Sequence, residues 1–392
     1  MEKEQSQSKQ KIDQPGHPEG PDFSNSIRLT GRQWAVVGLF TLVVVLFAPS
    51  LWKQMEKFDL EPDYRIPHDL SNDYWFYDRC AQLSAARYDT LLIGDSVIWG
   101  EYVTQEQTLS HYLNVRAGEQ RFANLGLDGA DPVALVGLVQ HYTGGVSGKN
   151  VILHCNPLWM SSPRRDYQDE KQFDSSHPRL IPQFIPRITG YKEDISHRIG
   201  VLVEQRAPFN SWTSHLQTAY YGGTDIPNWT LEHPYDNPIQ PLATPGANAT
   251  RLAAQESLRH SPIPWYKSGI TKQDFPWIDL KTSLQWQSFQ RAVEILQGRK
   301  NRVFVLVGPF NEHMLEPESL ERYVKLKSGI VSWLEEAGVP HLAPDALPSN
   351  LYGDASHPLA EGYKVLAEEI LKNMQSARGQ APRLNGAWGR QG

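Results

Sequence analysis

The chain has 392 residues, of which 38 are Lys or Arg and 44 are Asp or Glu, so its formal net charge is −6. This acidic balance, with no basic stripe interleaved with aromatic residues, argues against a nucleic-acid partner. Two cysteines, Cys80 and Cys155, are too few for a disulfide framework and lack the spacing of metal ligands. A chain of this length can bury a sizeable core, as one enlarged domain or as one domain with a large insert.

An uncharged apolar segment with a tryptophan at each end spans residues 34–52. It is about as long as the ~20 residues that cross a bilayer as a helix. A modest excess of Lys and Arg on its N-terminal side favours a cytoplasmic tail and a main domain on the periplasmic or extracellular side. We predict a disordered tail over 1–33, a transmembrane helix over 34–52 in the lipid bilayer, and a connector over 53–68. A cleaved signal peptide is the alternative, because Ala48 and Ser50 have a suitable spacing.

Strands and helices alternate along much of the remaining chain, which the apolar periodicity divides into short segments. The predicted strands are 89–93, a short one from 121, 151–155, 303–308 and a short edge strand at 339–342. The predicted helices are 70–88, one opened by a capping box at Thr104 and Gln107 and ending near 116, one capped by Asp131, 286–298, 317–337 and 358–374. We expect a disordered tail over 377–392.

The alternation stops between residues 158 and 285, a stretch rich in Pro, Trp, Tyr and His without sustained periodicity. So many aromatic residues need burial, so we predict an irregular insert that packs over the strand ends. The predicted domain therefore spans 69–376 with the insert inside it. Its fold class is α/β, a doubly wound, mostly parallel five-stranded sheet in three α/β/α layers, preceded by one transmembrane helix.

Two turns at predicted strand ends carry the residues of a hydrolytic triad. Ser96 follows the first strand in a Gly-Asp-Ser turn, and Asp354 and His357 lie three residues apart before the last helix. Serine, histidine and aspartate in this arrangement supply a nucleophile, a general base and a group that orients the base. Each turn alone would be a weak signal, because Asp and Ser also cap helices.

Four sequence blocks together resemble the SGNH, or GDSL-like, hydrolase family. They are Gly94-Asp95-Ser96, Asn124 to Gly129, the strand end at Asn156, and Asp354-Ala355-Ser356-His357-Pro358. The resemblance implies that Ser96 attacks an ester carbonyl. It also implies an oxyanion hole made by the Ser96 and Gly129 amides and the Asn156 side chain. Gly126 competes with Gly129 for this role.

One departure from the family pattern concerns the third block. The family usually has Gly two residues before the Asn and Asp directly after it, whereas this chain has His154 and Pro157. We interpret His154 as a core residue, with pocket lining as the alternative, and His313 as a loop residue that could also touch substrate. No sequence motif indicates a metal or a cofactor, and we expect neither.

Three functions fit these observations. The leading prediction is a membrane-anchored serine esterase or acylhydrolase that acts on an acyl ester, with acetyl as the expected acyl group, through an acyl-Ser96 intermediate. The second is an O-acyltransferase that passes the same acyl group to an envelope polysaccharide. The third is a non-catalytic glycan-binding or assembly protein with a degenerate SGNH domain. A carbohydrate could carry the ester, because the tryptophans of the insert could stack on sugar rings.

Overall fold

The computed structural model describes residues 29–61, 63–171, 175–246, 250–252 and 256–380. Contacts between residues divide the chain into two compact units, residues 1–50 and residues 51–392. The predicted transmembrane segment lies within helix α1, Gly31–Met55. This helix is long and apolar enough to cross a membrane, and side chains such as Trp34 and Phe40 are exposed. Residues 53–55, predicted as connector, continue this helix to its end at Met55. Of the predicted N-terminal tail, residues 31–33 belong to α1, and residues 1–28 lie outside the described residues.

A five-stranded, all-parallel sheet forms the centre of the second unit, with strand order β2-β1-β3-β4-β5. The strands are β1 (Thr90–Gly94), β2 (Phe122–Gly126), β3 (Asn150–Cys155), β4 (Arg302–Val307) and β5 (His341–Leu342). Each of the five lies within or beside an apolar run that the sequence assigns to a strand. The predicted α/β class and five-stranded parallel sheet are therefore confirmed.

Residues 250–252 are helical, and ten further helices after α1 have described bounds. They are α2 (Tyr74–Arg87), α3 (Ser96–Trp99), α4 (Leu109–Ala117), α5 (Pro132–Tyr142), α6 (Ile195–Arg206), α7 (Pro208–Tyr221), α8 (Ile226–Glu232), α9 (Leu284–Gly298), α10 (Pro317–Glu336) and α11 (Ala360–Gln380).

Helices cover both faces of the sheet, because alternate strand residues point to opposite sides. Leu92, Ile152 and Phe304 share one buried cluster with residues of α4 and α11. Their neighbours Leu91 and Val151 belong to a second cluster with residues of α2, α5, α9 and α10. The two clusters are the two cores of a three-layer, doubly wound fold.

The strand order reverses between β1 and β3. From β1 the chain crosses to β2 on one side and then returns to β3 on the other. In open parallel sheets, ligands bind outside the carboxyl ends of the strands at such a reversal. Ser96 lies two residues after the end of β1 and Asn156 follows β3 directly, so the topology alone brings these two residues to the expected site.

Three predicted boundaries are wrong in detail. The capping box at Thr104 exists, but it closes only a short 3₁₀ turn, and α4 begins at Leu109 with Thr108 as its cap. The first domain helix begins at Tyr74 rather than at residue 70, because Asp73 accepts a hydrogen bond from the Phe76 amide. The last helix continues to Gln380, so residues 377–380 of the predicted tail are helical, and 381–392 lie outside the described residues.

The insert is more regular than expected, since it contains helices α6, α7 and α8. Helix α7 packs against α2 through His215, whose ring nitrogens lie 2.6 Å from Asp73 Oδ2 and 3.0 Å from Glu56 Oε1. The ring also stacks on Trp75, with 4.2 Å between ring centroids. The expectation of one irregular cap over the strand ends is therefore wrong for this part of the insert.

Candidate active site

Ser96, His357 and Asp354 form one hydrogen-bonded chain at the carboxyl edge of the sheet. The Ser96 Oγ lies 2.7 Å from His357 Nε2, although the two residues are 261 positions apart. His357 Nδ1 lies 2.8 Å from each carboxylate oxygen of Asp354. These three side chains, predicted from two separate turns, therefore have the connectivity of a nucleophile, a base and an orienting carboxylate.

The loop that carries Asp354 and His357 is held by several contacts. Asp354 Oδ1 accepts hydrogen bonds of 2.9 Å from the backbone amides of Ser356 and His357. Asn311 donates through Nδ2 to the Asp354 carbonyl oxygen at 3.0 Å. The Tyr102 hydroxyl donates to Asp354 Oδ2 at 3.4 Å, and its ring centroid lies 5.8 Å from that of His357. The carboxylate thus has a fixed position relative to the imidazole.

The charges of His357 and Asp354 outweigh the effect of their burial. Burial alone would raise the pKa of Asp354, but the His357 charge and its hydrogen bond lower that pKa to about 2. Burial alone would lower the pKa of His357, but Asp354, with Asp95 and Glu101, raises that pKa to about 9. Because Asp354 accepts at Nδ1, the proton of a neutral ring stays there and leaves the Nε2 lone pair facing Ser96.

Asp95 holds the turn beneath the nucleophile. Its Oδ1 accepts hydrogen bonds from the Val97 amide at 3.0 Å and from His154 Nδ1 at 2.9 Å. Its Oδ2 accepts from Asn156 Nδ2 at 2.7 Å and from Trp159 Nε1 at 2.9 Å. Although burial raises the pKa of Asp95, the His154 charge and these donors hold it well below its usual range. A buried carboxylate therefore ties the Ser96 turn to the end of β3.

His154 lies in the core, as the sequence interpretation favours, and it is 1% exposed. Its Nε2 lies 3.0 Å from the Gly308 carbonyl oxygen, which can only accept. Its Nδ1 contacts the Asp95 carboxylate, so the ring lies between two acceptors on different strands. His154 therefore joins the ends of β1, β3 and β4 through buried hydrogen bonds.

The backbone amides expected in the oxyanion hole are available. Among the described residues, neither the Ser96 nor the Gly129 amide donates a hydrogen bond. Gly129 has φ of 72°, a left-handed conformation that favours glycine. The Gly126 amide is not available, because it donates a hydrogen bond to Asn124 Oδ1 at 2.9 Å. Glycine is needed at position 126 for packing, since a Cβ there would lie 2.3 Å from the Trp99 nitrogen. Gly129 is the better candidate for the second amide.

Asn156 is only partly free to serve the expected oxyanion role. One of its two Nδ2 hydrogens is committed to Asp95, and its Oδ1 accepts from the Leu158 amide at 3.0 Å. A primary amide carries two N–H groups, so one hydrogen remains for an oxyanion. The same bonds that engage Asn156 also fix the orientation of its side chain.

Two parts of the insert do reach the loops that follow β1 and β2. Arg259 forms ion pairs with Glu101, at 3.4 Å, and with Asp128, while His260 Nε2 lies 2.8 Å from Glu101 Oε1. Burial and the Asp128 charge raise the pKa of Glu101 to about 7. Ser176, also in the insert, packs closely against Gly129 in the loop after β2, since a Cβ at Gly129 would lie 2.8 Å from the Ser176 side chain. The insert therefore borders the site around residues 176 and 259, as predicted, whereas α7 packs on α2.

Sequence reasoning missed the roles of Asp95, Trp159, Tyr102 and Glu101. One signal in the sequence could have indicated the role of Asp95. His154 stands where the family usually has Gly, two residues before Asn156, and a buried histidine at that position needs a polar partner. His313 lies in a 3₁₀ turn, where its Nε2 donates to the Leu347 carbonyl oxygen at 3.0 Å. Within the described ranges, no group of three or more His, Cys, Asp or Glu residues could hold a metal ion.

The fold and the site define an α/β protein with a Ser-His-Asp arrangement at the switch point of a parallel sheet. No family model matches the chain, and a search of curated proteins finds no match either.

Proposed function

We propose that the protein is a membrane-anchored serine esterase of the SGNH type, which cleaves an acyl ester, with acetyl as the expected acyl group. The observation that carries the proposal is the hydrogen-bonded chain from Ser96 through His357 to Asp354. The free amides of Ser96 and Gly129 support it, because an ester hydrolase needs donors for the oxyanion.

The chemistry follows from the positions of these atoms. Ser96 Oγ attacks the ester carbonyl carbon while His357 Nε2 takes the hydroxyl proton, and the carbonyl oxygen becomes an oxyanion. His357 then gives the proton to the leaving alcohol as the acyl-Ser96 ester forms. In the second half of the reaction, His357 takes a proton from water, and the resulting hydroxide attacks the acyl carbon. The bond to Ser96 Oγ then breaks, His357 returns the proton to that oxygen, and the free acid leaves.

Hydrolysis of a chromogenic acetyl ester by the purified full chain in detergent tests this proposal. Ser96→Ala and His357→Gln should each lower kcat/KM by roughly 10⁴-fold or more, because the triad acts as a unit. Ser332→Ala, at an exposed position of α10, is the matched serine control and should retain wild-type activity. Equal activity in Ser96→Ala and wild type would contradict the proposal.

The same assay with an added oligosaccharide acceptor identifies the second substrate. Free acetate as the product in both conditions supports the esterase. Acetylated oligosaccharide formed in a Ser96-dependent reaction would reassign the protein as an acyltransferase with the same nucleophile.

We further propose that the catalytic unit lies on the periplasmic or extracellular side of the membrane. The support is the apolar helix Gly31–Met55 together with the Lys and Arg residues that precede it.

A further inference from the structure

A cavity of about 360 Å³ lies beside the loop that carries Gly129. Its lining includes Trp159, Arg164, Arg165 and Ser176. Trp159 donates to Asp95, the residue before the nucleophile, so the cavity borders both the Ser96 turn and the expected oxyanion loop. A substrate group attached to an ester at Ser96 could reach it.

The charge of this cavity is positive. Within the described ranges, neither Arg164 nor Arg165 forms an ion pair with a carboxylate. The lining contains one carboxylate, Asp131, which is 3% exposed. Its oxygens are already engaged by the Ala134 amide and the Tyr167 hydroxyl. The cavity is therefore lined by two arginines and by one carboxylate whose oxygens are engaged elsewhere.

The segment that carries the two arginines is fixed by its surroundings. Arg165 Nη1 donates to Ser161 Oγ at 2.9 Å, and its guanidinium lies 5.6 Å from the Phe275 ring centroid. The next residue, Asp166, accepts hydrogen bonds from the Leu284 amide, at 3.0 Å, and from two further groups at the start of α9. Tyr167 follows with φ of 61°, a left-handed conformation that costs energy in a non-glycine residue. Such strain persists only where the surrounding structure holds it.

We propose that this cavity binds an anionic group of the substrate, a carboxylate or a phosphate, through Arg164 and Arg165. The proposal rests on the esterase function above and adds its substrate class: an acyl ester of which either the alcohol or the acyl part carries a negative charge. Arginine suits this role because its planar guanidinium makes paired hydrogen bonds to carboxylate and phosphate oxygens.

Matched pairs of small esters test the proposal. The alcohol side is probed with 4-acetoxybenzoate and 4-acetoxyphenyl phosphate against neutral 4-acetoxybenzamide. The acyl side is probed with phenyl hydrogen succinate against neutral phenyl succinamate. Each rate is measured against the Ser96→Ala protein as the blank, so that spontaneous hydrolysis is subtracted.

At least one anionic ester should exceed its neutral partner in kcat/KM by roughly 10-fold or more, since only the anion can make charge-assisted hydrogen bonds to the guanidinium groups. Preference for the benzoate or the succinate identifies a carboxylate, and preference for the phosphate ester identifies a phosphate. The preference should fall in Arg164→Gln and Arg165→Gln and weaken with added salt. Arg302→Gln removes an equal charge at the opposite edge of the sheet, where β4 begins, and should keep the preference.

The outcomes separate this proposal from the proposed function. Ser96-dependent hydrolysis without preference for any anionic ester would overturn the anion site alone. Loss of hydrolysis of charged and neutral esters in equal proportion in Arg165→Gln would also overturn it, because Arg165 would then act on the triad. No Ser96-dependent hydrolysis of any ester would overturn the esterase function itself. Arg164 is exposed, and its side chain makes no hydrogen bond or ion pair in the described part of the chain, so its variant should fold and decide the matter.

Discussion

The protonation state of His357 decides when the Ser96 hydroxyl can lose its proton. The base must be neutral, and the charge of Asp354 raises its pKa to about 9. We therefore predict that kcat/KM for an acetyl ester rises with pH through a pKa displaced from the ordinary ~6.5 toward 9. In Glu101→Gln the apparent pKa should fall, because the Glu101 charge contributes to the shift. A rate that falls as the pH rises from 6 to 9 would contradict His357 as the base.

The His154–Asp95 pair determines the stability of the nucleophile turn. His154→Leu leaves the Asp95 carboxylate and the Gly308 carbonyl oxygen without the donors that His154 supplies. We expect the free energy of unfolding to fall by roughly 2–4 kcal/mol, because each buried acceptor left without its donor costs about 1–3 kcal/mol. Denaturant unfolding measures this change, with His197→Leu at an exposed position of α6 as the control. Equal stability of the two variants would show that the hydrogen bonds of His154 contribute nothing.

The triad could be predicted from sequence because each member lies in a short turn directly after a strand or before a helix. The partners of Asp95 could not, since His154 lies 59 positions away and its ring reaches Asp95 only once β1 and β3 pair. The orientation of the Asn156 side chain could not be predicted either, because it depends on the hydrogen bond to Asp95.

Helix α7 is attached to the rest of the unit by an ionic cluster around His215. Burial lowers the pKa of His215, but Asp73 and Glu56 override it and raise the pKa to about 9. Because the folded pKa lies above the unfolded value of about 6.5, the stabilisation is fully present below pH 6.5 and is lost as the pH rises through 9.

The unfolding free energy of His215→Gln should therefore differ most from that of wild type at about pH 6, and the difference should shrink toward pH 9 and above. Taking the difference at each pH cancels other titrating groups, among them His357. Asn210→Ala, at an exposed position of the same helix, removes no titrating group and is the control, so its difference from wild type should not vary over this range. A pH-independent difference for His215→Gln would show that its charge does not stabilise the cluster.

At the scale of elements, the strands could be predicted because each is a short apolar run bounded by turn residues. The insert helices could not be predicted from periodicity, since most side chains of α6 stay exposed and only Val201 is buried. Their ends nevertheless carry local signals: Asp194 caps α6, Pro208 opens α7, and Gly222 ends α7 in a left-handed conformation. In this part of the insert, capping residues therefore indicate the helices better than hydrophobic periodicity does.

In the molecule as a whole, the reversal of strand order places the candidate site residues together at the carboxyl ends of the strands. The loops after β1, β2 and β3 and the loop before α11 all supply candidate site residues, as the general rule for open parallel sheets predicts. Sequence reasoning anticipated this because it located the site residues relative to strands. It could not anticipate the arginine-lined cavity, which depends on how residues 161–167 pack against Phe275 and α9.

The apolar helix α1 makes the orientation of the chain testable. We predict that protease added to cells with a permeabilised outer barrier digests the catalytic unit while a cytoplasmic marker stays intact, because the Lys and Arg residues precede the helix. Survival of the unit, under conditions that remove a known surface protein, would place it in the cytoplasm.

Trapping of the acyl-enzyme is the decisive test of Ser96 as the nucleophile. The full chain is mixed with an activated acetyl ester, quenched in acid during turnover, and digested for peptide mass spectrometry. We predict one acetyl group on the peptide that contains Ser96, absent from the Ser96→Ala protein and lost after chase in the wild type. Turnover of the ester with Ser96 never acetylated, or with the acetyl group on another residue, would contradict it.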